Sequence, residues 1–89
     1  MTKRARVRVR GFVQGVGFRY DARRRARSLG IGGWIHNAHD GSVEAVFEGE
    51  DGRVESMVDW CRRGPSGASI EDVEVSWEEP VGESGFRIR

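Results

Sequence analysis

Near the start of the chain lies the segment Arg10-Gly11-Phe12-Val13-Gln14-Gly15-Val16-Gly17-Phe18-Arg19-Tyr20, which joins a predicted strand to a predicted helix. Before it, apolar residues alternate with arginines, the period-two pattern of a half-buried strand. After it, apolar residues recur at the spacing of one helix face. The strand pattern consists of Ala5, Val7 and Val9, and the helix pattern of Phe18, Ala22, Ala26 and Leu29. The segment therefore predicts a glycine-rich strand-to-helix turn.

This turn has the composition of an anion-binding loop. It contains Gly11, Gly15 and Gly17, and no Ser, Thr, Asp or Asn stands where it could cap the helix. The first N–H groups of a helix have no partner within it, so an uncapped, flexible loop leaves them available to an anion. Arg19 adds a guanidinium, which holds phosphate through two hydrogen bonds. The residues indicate a phosphate cradle, although many glycine-rich turns of this kind bind nothing.

Composition limits the class of protein. The 89 residues suffice for one domain, which we place at 1–89. Charged residues make up 33% of the chain, yet the net charge is only +1, which argues against a nucleic-acid partner. Cys61 is the only cysteine, and no apolar run approaches the roughly 20 residues that span a bilayer. With no secretory leader visible, we expect a cytoplasmic monomer without a membrane partner.

The rest of the chain alternates between strand and helix patterns. The predicted elements are a strand over about 4–12, a helix over 18–29, strands over 34–37 and 42–48, a second helix on the stripe Val54, Met57, Val58 and Cys61, and strands over 73–78 and 86–89. Gly30 is placed to end the first helix, and Gly64-Pro65 the second. Residues 49–52 are predicted to form a loop in which Asp51 caps the second helix.

Three tryptophans complete the apolar pattern. Trp34 and Trp77 lie in predicted strands, where we expect them to pack in the core or on the sheet. Trp60 lies off the apolar stripe of the second helix, so we expect it to be partly exposed. Cys61 lies on that stripe and is interpreted as a small buried apolar residue rather than a nucleophile.

The element order predicts an α+β fold of the ferredoxin-like sandwich type. It has the order βαββαβ plus a short terminal strand, with two helices on one face of an antiparallel sheet. In this topology the first two strands run parallel with the third between them. The glycine-rich loop and Asn37, at the end of the second strand, should therefore share one rim of the sheet.

The outer face of the sheet is predicted to be neutralised internally. Strand one should lie between strands three and four, so that its outward arginines oppose acidic residues. The arginines are Arg4, Arg6, Arg8 and Arg10, and the acidic residues are Glu44, Glu48, Asp72, Glu74 and Glu78. We expect these arginines to form ion pairs rather than a nucleic-acid surface.

Two motifs resemble those of the acylphosphatase family, small hydrolases of carboxyl phosphates. The first is the Gly-Phe-Val-Gln-Gly-Val-Gly-Phe-Arg run of residues 11–19. The second, residues 33–44, resembles the family pattern Gly-Trp-Val-Arg-Asn, two variable residues, Asp-Gly, a variable residue and Val-Glu. Weaker matches at 64–65 and 85–89 extend the resemblance over the whole chain. His36 departs from it, because the family usually has Arg or Lys there; we expect at most a change in substrate affinity or pH response.

The resemblance also implies a site. The backbone N–H groups that would bind the phosphate oxygens are those of Gln14, Gly15, Val16, Gly17, Phe18 and Arg19. The Arg19 guanidinium would clamp the phosphate, and the Asn37 side chain would hold the attacking water in line with the bond to be broken. The substrate would be a small acyl phosphate, with inorganic phosphate as product and inhibitor. No metal or other cofactor is implied, because phosphoryl transfer depends mostly on positioning and charge stabilisation.

Three other readings remain open. An RNA-recognition module shares the fold, and Arg10-Gly11-Phe12-Val13 is similar to its aromatic motif. That motif belongs on the third strand, however, and residues 42–48 are acidic with one aromatic. The second reading is a module that handles carbamoyl phosphate within a larger maturation enzyme. The third is a regulatory domain that binds phosphate without turnover.

Overall fold

The computed structural model describes residues 1–89, which form one mixed sheet with two helices on one face. The elements are β1 (Thr2–Phe12), α1 (Phe18–Ser28), β2 (Gly32–Asn37), β3 (Val43–Glu50), α2 (Asp51–Arg63), β4 (Ser69–Glu78) and β5 (Phe86–Ile88). The strand order is β4-β1-β3-β2-β5. The predicted ferredoxin-like topology is confirmed, with β3 between β1 and β2.

One strand pair departs from the predicted antiparallel sheet. The first four strands pair antiparallel, but β5 runs parallel to β2, with Trp34 opposite Arg87. The connection after β4 crosses to the opposite edge of the sheet, so β5 enters in the same direction as β2. This parallel edge strand flanks the strand that ends at Asn37.

The core lies between the sheet and the helices, as the apolar patterns predict. Ala5, Val7 and Val9 of β1 are each at most 1% exposed. The α2 stripe is also buried, and burial raises the pKa of the Cys61 thiol to about 12. A thiol with so high a pKa remains protonated at neutral pH, which fits the predicted apolar role of Cys61. No helix of the fold is both long and apolar enough to cross a membrane.

The two helices end as predicted, but α2 begins differently. Gly30 is left-handed (φ 69°), and the Ile31 N–H donates to the carbonyl of Ala26 at 2.9 Å, closing α1 in a Schellman motif. The predicted cap at Asp51 is wrong: Glu50 is the cap and accepts from the Arg53 N–H at 3.2 Å. The reason is that β3 continues to Glu50, paired with Thr2 of β1, so no loop separates β3 from α2.

The tryptophans differ most from expectation. Trp60 is only 4% exposed, and its ring centroid lies 5.0 Å from that of Phe18, because α1 covers the flank of α2 beside the apolar stripe. Trp77 is 53% exposed on the edge strand β4, beneath the Lys3 ammonium at 4.9 Å from the ring centroid. Trp34 is buried on the outer sheet face, as expected of a sheet-packing aromatic, with the Arg89 guanidinium 4.1 Å from its ring centroid.

The arginines of β1 are paired across the sheet, which confirms their predicted neutralisation. Arg6 contacts Glu78 at 2.7 Å and Glu44 at 3.3 Å. Arg10 stands opposite Asp72 in the register but forms its ion pair with Glu74, at 2.9 Å. The outer face of the sheet is therefore an ion-pair network.

Glu48 is the most enclosed member of this network, at 4% exposed. Its carboxylate accepts from the N–H groups of Val81 (3.0 Å), Gly82 (2.7 Å) and Glu83 (2.9 Å) and from the Arg4 guanidinium (3.1 Å). These bonds fix the connection between β4 and β5 against the sheet. β5 in turn pairs with β2, so Glu48 helps to support the strand that ends at Asn37.

Candidate active site

The loop between β1 and α1 forms the predicted cradle. Gly15 (φ 77°) and Gly17 (φ 81°) are left-handed, a conformation that other residues adopt only with strain. Gly17 is the N-cap of α1 and provides no side-chain hydrogen bond. None of the backbone N–H groups from Gln14 to Arg19 donates a hydrogen bond to another part of the chain. The loop therefore presents a run of unused donors at the positive end of a helix.

A cavity of about 240 Å³ opens above this loop. Its lining residues are Val13, Gly15, Gly17, Phe18, Arg19, Tyr20 and Asn37. The predicted shared rim is therefore confirmed: Arg19 and Asn37, from different elements, line one cavity with the glycines. Of the other cradle residues, Val16 packs partly against the core, and Gln14 is half-buried beside the turn that follows β2.

Two polar side chains in the cavity wall have no partner within the protein. The Arg19 guanidinium makes no hydrogen bond or ion pair, and it lies 5.9 Å from the Tyr20 ring centroid. The Asn37 Oδ1 is buried without a hydrogen-bond partner. Buried polar atoms are nearly always hydrogen-bonded, so the Asn37 Oδ1 is left to be satisfied by water or by a ligand. Arg19 therefore offers an unpaired cation to a polar ligand, and the Asn37 amide lies in the same cavity wall.

The Gln14 side chain makes hydrogen bonds that the sequence analysis did not predict. Its Nε2 donates to the carbonyl of Ala38 at 2.8 Å and to the carbonyl of Ser42 at 2.9 Å. These are the two ends of the turn that follows Asn37. Because both acceptors are backbone atoms, no residue type in the sequence identifies them, and only the backbone contribution of Gln14 was expected.

His36 lies outside the cavity. Its Nε2 is 2.9 Å from the Glu44 Oε1, and its ring packs edge-on against Trp34 on the outer sheet face. The hydrogen bond from His36, together with Arg6, holds the pKa of Glu44 below its usual value against the effect of burial. His36 is thus part of the ion-pair network, one residue before Asn37.

Two further observations concern other kinds of site. No group of three or more His, Cys, Asp or Glu side chains in the fold is arranged to hold a metal ion. A larger cavity of about 360 Å³ lies between Arg27 at the end of α1 and Arg87 of β5. The Arg27 guanidinium already donates to the carbonyl of Phe86 at 3.2 Å, so one of the two arginines that line this cavity is engaged in holding β5.

The chain is similar to proteins of one family in sequence and in structure. The family model described as Acylphosphatase matches residues 5–88. An acylphosphatase of Roseiflexus is 56% identical over 86 residues, which are 96% of this chain and 92% of that protein. The solved acylphosphatase of Coxiella burnetii has a TM-score of 0.93 at 34% identity, covering 99% of this chain and 93% of that one. The structure from Bacillus subtilis gives 0.93 at 33% identity, covering 100% and 99%.

Proposed function

This chain belongs to the acylphosphatase family of hydrolases, which act on small acyl phosphates, and from that premise we propose how its residues carry out the reaction. Water attacks phosphorus in line with the bond to the acyl oxygen, and the products are a carboxylate and inorganic phosphate. The observation that supports this proposal is the single cavity lined by the cradle, Arg19 and Asn37.

The cradle and Arg19 bind the phosphoryl group. Six N–H groups, from Gln14 to Arg19, are free of intramolecular acceptors and lie at the N-terminus of α1. Such donors and the Arg19 fork stabilise the charge that the equatorial oxygens carry in the transition state. Because the backbone of the loop holds the cradle N–H groups before the substrate arrives, these donors need little reorganisation during the reaction.

Asn37 orients the attacking water. Its buried, unpartnered Oδ1 accepts a hydrogen bond from that water and aligns the oxygen lone pair with phosphorus. An amide has no useful pKa, so the Asn37 side chain positions the water without removing its proton. The substrate phosphate takes that proton, and the carboxylate leaves without a strong general acid. The positive potential from the cradle and Arg19 provides the charge stabilisation without a metal.

We propose that the protein acts in the cytoplasm as a monomer, and that residues 1–89 form a single domain. All three parts of the site come from one chain, so catalysis needs no second copy. The only cysteine, Cys61, is fully buried and so cannot link two copies.

The test is hydrolysis of acetyl or benzoyl phosphate by the wild type and by Asn37→Ala, with EDTA present and absent. The expected result is a large fall in kcat for Asn37→Ala, with the inhibition constant of inorganic phosphate nearly unchanged. EDTA should have no effect, and phosphate should inhibit competitively. Weaker phosphate binding at unchanged kcat would contradict the role of Asn37, and loss of activity on chelation would contradict the metal-free mechanism.

A further inference from the structure

The two halves of the proposed site lie on strands that are not neighbours. The cradle follows β1 and Asn37 ends β2, while β3 lies between these strands. The cradle makes no backbone hydrogen bond to the turn after β2. The sheet alone therefore links the two halves only indirectly, through β3.

The Gln14 side chain is the polar link that the cradle itself makes across this gap; Arg8 of β1 also contacts the turn, through Ser42 Oγ at 2.6 Å. Both N–H bonds of its Nε2 are used, to the carbonyls of Ala38 (2.8 Å) and Ser42 (2.9 Å). Because both partners are acceptors, the nitrogen and not the oxygen of the amide must face them. Two bonds from one nitrogen fix the plane of the amide as well as its position. Ala38 directly follows Asn37, so the link is made at the residue next to the proposed water-binding side chain.

Resting on the proposed function, we propose that the Gln14 side chain is a positioning residue, which fixes Asn37 at the correct distance and angle from the cradle. It acts on the reaction through Asn37 and does not contact the acyl phosphate with its amide. Misplacing reacting groups by about 1 Å can reduce a rate about 100-fold, so a link of this kind controls turnover.

The surrounding hydrogen bonds separate this function from a purely structural one. The Ala38 carbonyl also accepts from the Gly41 N–H at 3.2 Å, and the Ser42 carbonyl also accepts from the Ala38 N–H at 2.8 Å. Removing the Gln14 amide therefore leaves neither carbonyl without a partner, and the penalty for an unsatisfied buried group does not arise. The turn should keep its shape and its bond to Arg8 of β1, but it should lose its direct hydrogen bonds to the cradle.

The test is Gln14→Met, which keeps the length of the side chain and the backbone N–H but removes both donors. We expect kcat on acetyl phosphate to fall by at least about tenfold, within the loss that misplacement produces. The inhibition constant of inorganic phosphate should stay within about twofold, because the cradle N–H groups are intact. Arg53→Met is the matched control: it removes a guanidinium bond to the Leu29 carbonyl (3.1 Å) outside the site, and kcat should not change.

A double-mutant cycle with Asn37→Ala tests whether the Gln14 side chain affects kcat through Asn37. If Gln14 acts through Asn37, Gln14→Met should reduce kcat far less in the Asn37→Ala background than in the wild type. Effects that multiply independently would overturn the proposal, as would an unchanged kcat with weaker phosphate binding. Gln14→Leu gives the same comparison if the methionine variant aggregates.

The failures of the two proposals can be told apart. If the wild type does not hydrolyse acyl phosphates, or Asn37→Ala leaves kcat unchanged, the proposed function is wrong. If both behave as proposed and Gln14→Met retains kcat within about twofold, only the positioning function of Gln14 is wrong.

Discussion

Replacing Glu48 by Gln should strongly destabilise the fold, although Glu48 does not line the proposed site. In the wild type each carboxylate oxygen accepts two hydrogen bonds: Oε1 from Arg4 and the Val81 N–H, and Oε2 from the N–H groups of Gly82 and Glu83. A glutamine has one oxygen and one NH₂ group. Whichever way the amide turns, the NH₂ faces two donors, and two of the four bonds are lost.

The magnitude follows from those two bonds. Hydrogen bonds to a charged group contribute about 1.5–3 kcal/mol each, so two contribute about 3–6 kcal/mol. Breaking a buried ion pair from one side costs about 3–5 kcal/mol, which overlaps that range. Arg4 keeps its contact with Glu78 at 3.0 Å, so it is not left unpaired. We therefore expect the free energy of unfolding to fall by about 3–5 kcal/mol, and Tm by at least about 12 °C.

The assay is urea unfolding at 25 °C, followed by circular dichroism, with Glu55→Gln as the control. Glu55 pairs with Lys3 at 2.6 Å, but the side chains of both are more than a third exposed, so this variant should change stability little. Equal unfolding midpoints for Glu48→Gln and Glu55→Gln would refute the reasoning, because the burial of Glu48 and its three N–H donors would then contribute nothing to stability.

The pH dependence gives an independent check. Burial alone would raise the pKa of Glu48, but the Val81 N–H, Arg4 and the N–H groups of Gly82 and Glu83 outweigh it and hold the pKa below 4.5. A carboxyl with a lowered pKa in the folded state contributes stability above its unfolded pKa and loses it as the pH falls through the folded value. The stability gap between wild type and Glu48→Gln should be constant near neutral pH and shrink in acid below 4.5. A gap that does not change with pH would contradict this.

Two further substitutions test the site and the core. Arg19→Lys keeps the charge but loses the guanidinium fork, so kcat should fall by about 100-fold or more and phosphate should bind more weakly. An acyl phosphate assay measures kcat, and calorimetric titration with inorganic phosphate measures binding. Near-normal values of both would contradict the proposal that Arg19 clamps the phosphate. Trp60→Ala removes a 4%-exposed ring that packs on Phe18, so urea unfolding should show that the free energy of unfolding falls by about 3–5 kcal/mol. A fall of less than about 1 kcal/mol would mean that Trp60 is not part of the core.

The patterns that depend on one element could be predicted from the sequence. The alternation that includes Val7 and Val9 predicted the strand β1, and Gly30 predicted where α1 ends. The element order then gave the topology, which put Arg19 and Asn37 on one rim before any side chain was located. These predictions succeeded because the spacing of apolar residues and the residues of a turn are local features of the sequence. The topology could be predicted because few arrangements can connect elements in this order.

The features that were missed depend on contacts between distant elements. Trp60 is buried because α1 lies beside it, which the helical pattern of α2 cannot reveal. Glu50 caps α2 because Thr2 extends β3 by pairing with it. The Gln14 amide binds backbone carbonyls, which carry no residue identity. In each case a partner far away in sequence determines the environment of the residue.

The position of β1 between β4 and β3 has a consequence for folding. β1 precedes the other elements of this domain in the sequence, yet it pairs with both β3 and β4, and Arg4 bonds to Glu78, 74 positions further along the chain. Non-local pairing of this kind slows folding, because a long loop must close before any contact forms. The strand that leads into the cradle stays unpaired on one edge until β4 joins the sheet, so the domain should fold as one cooperative unit rather than strand by strand.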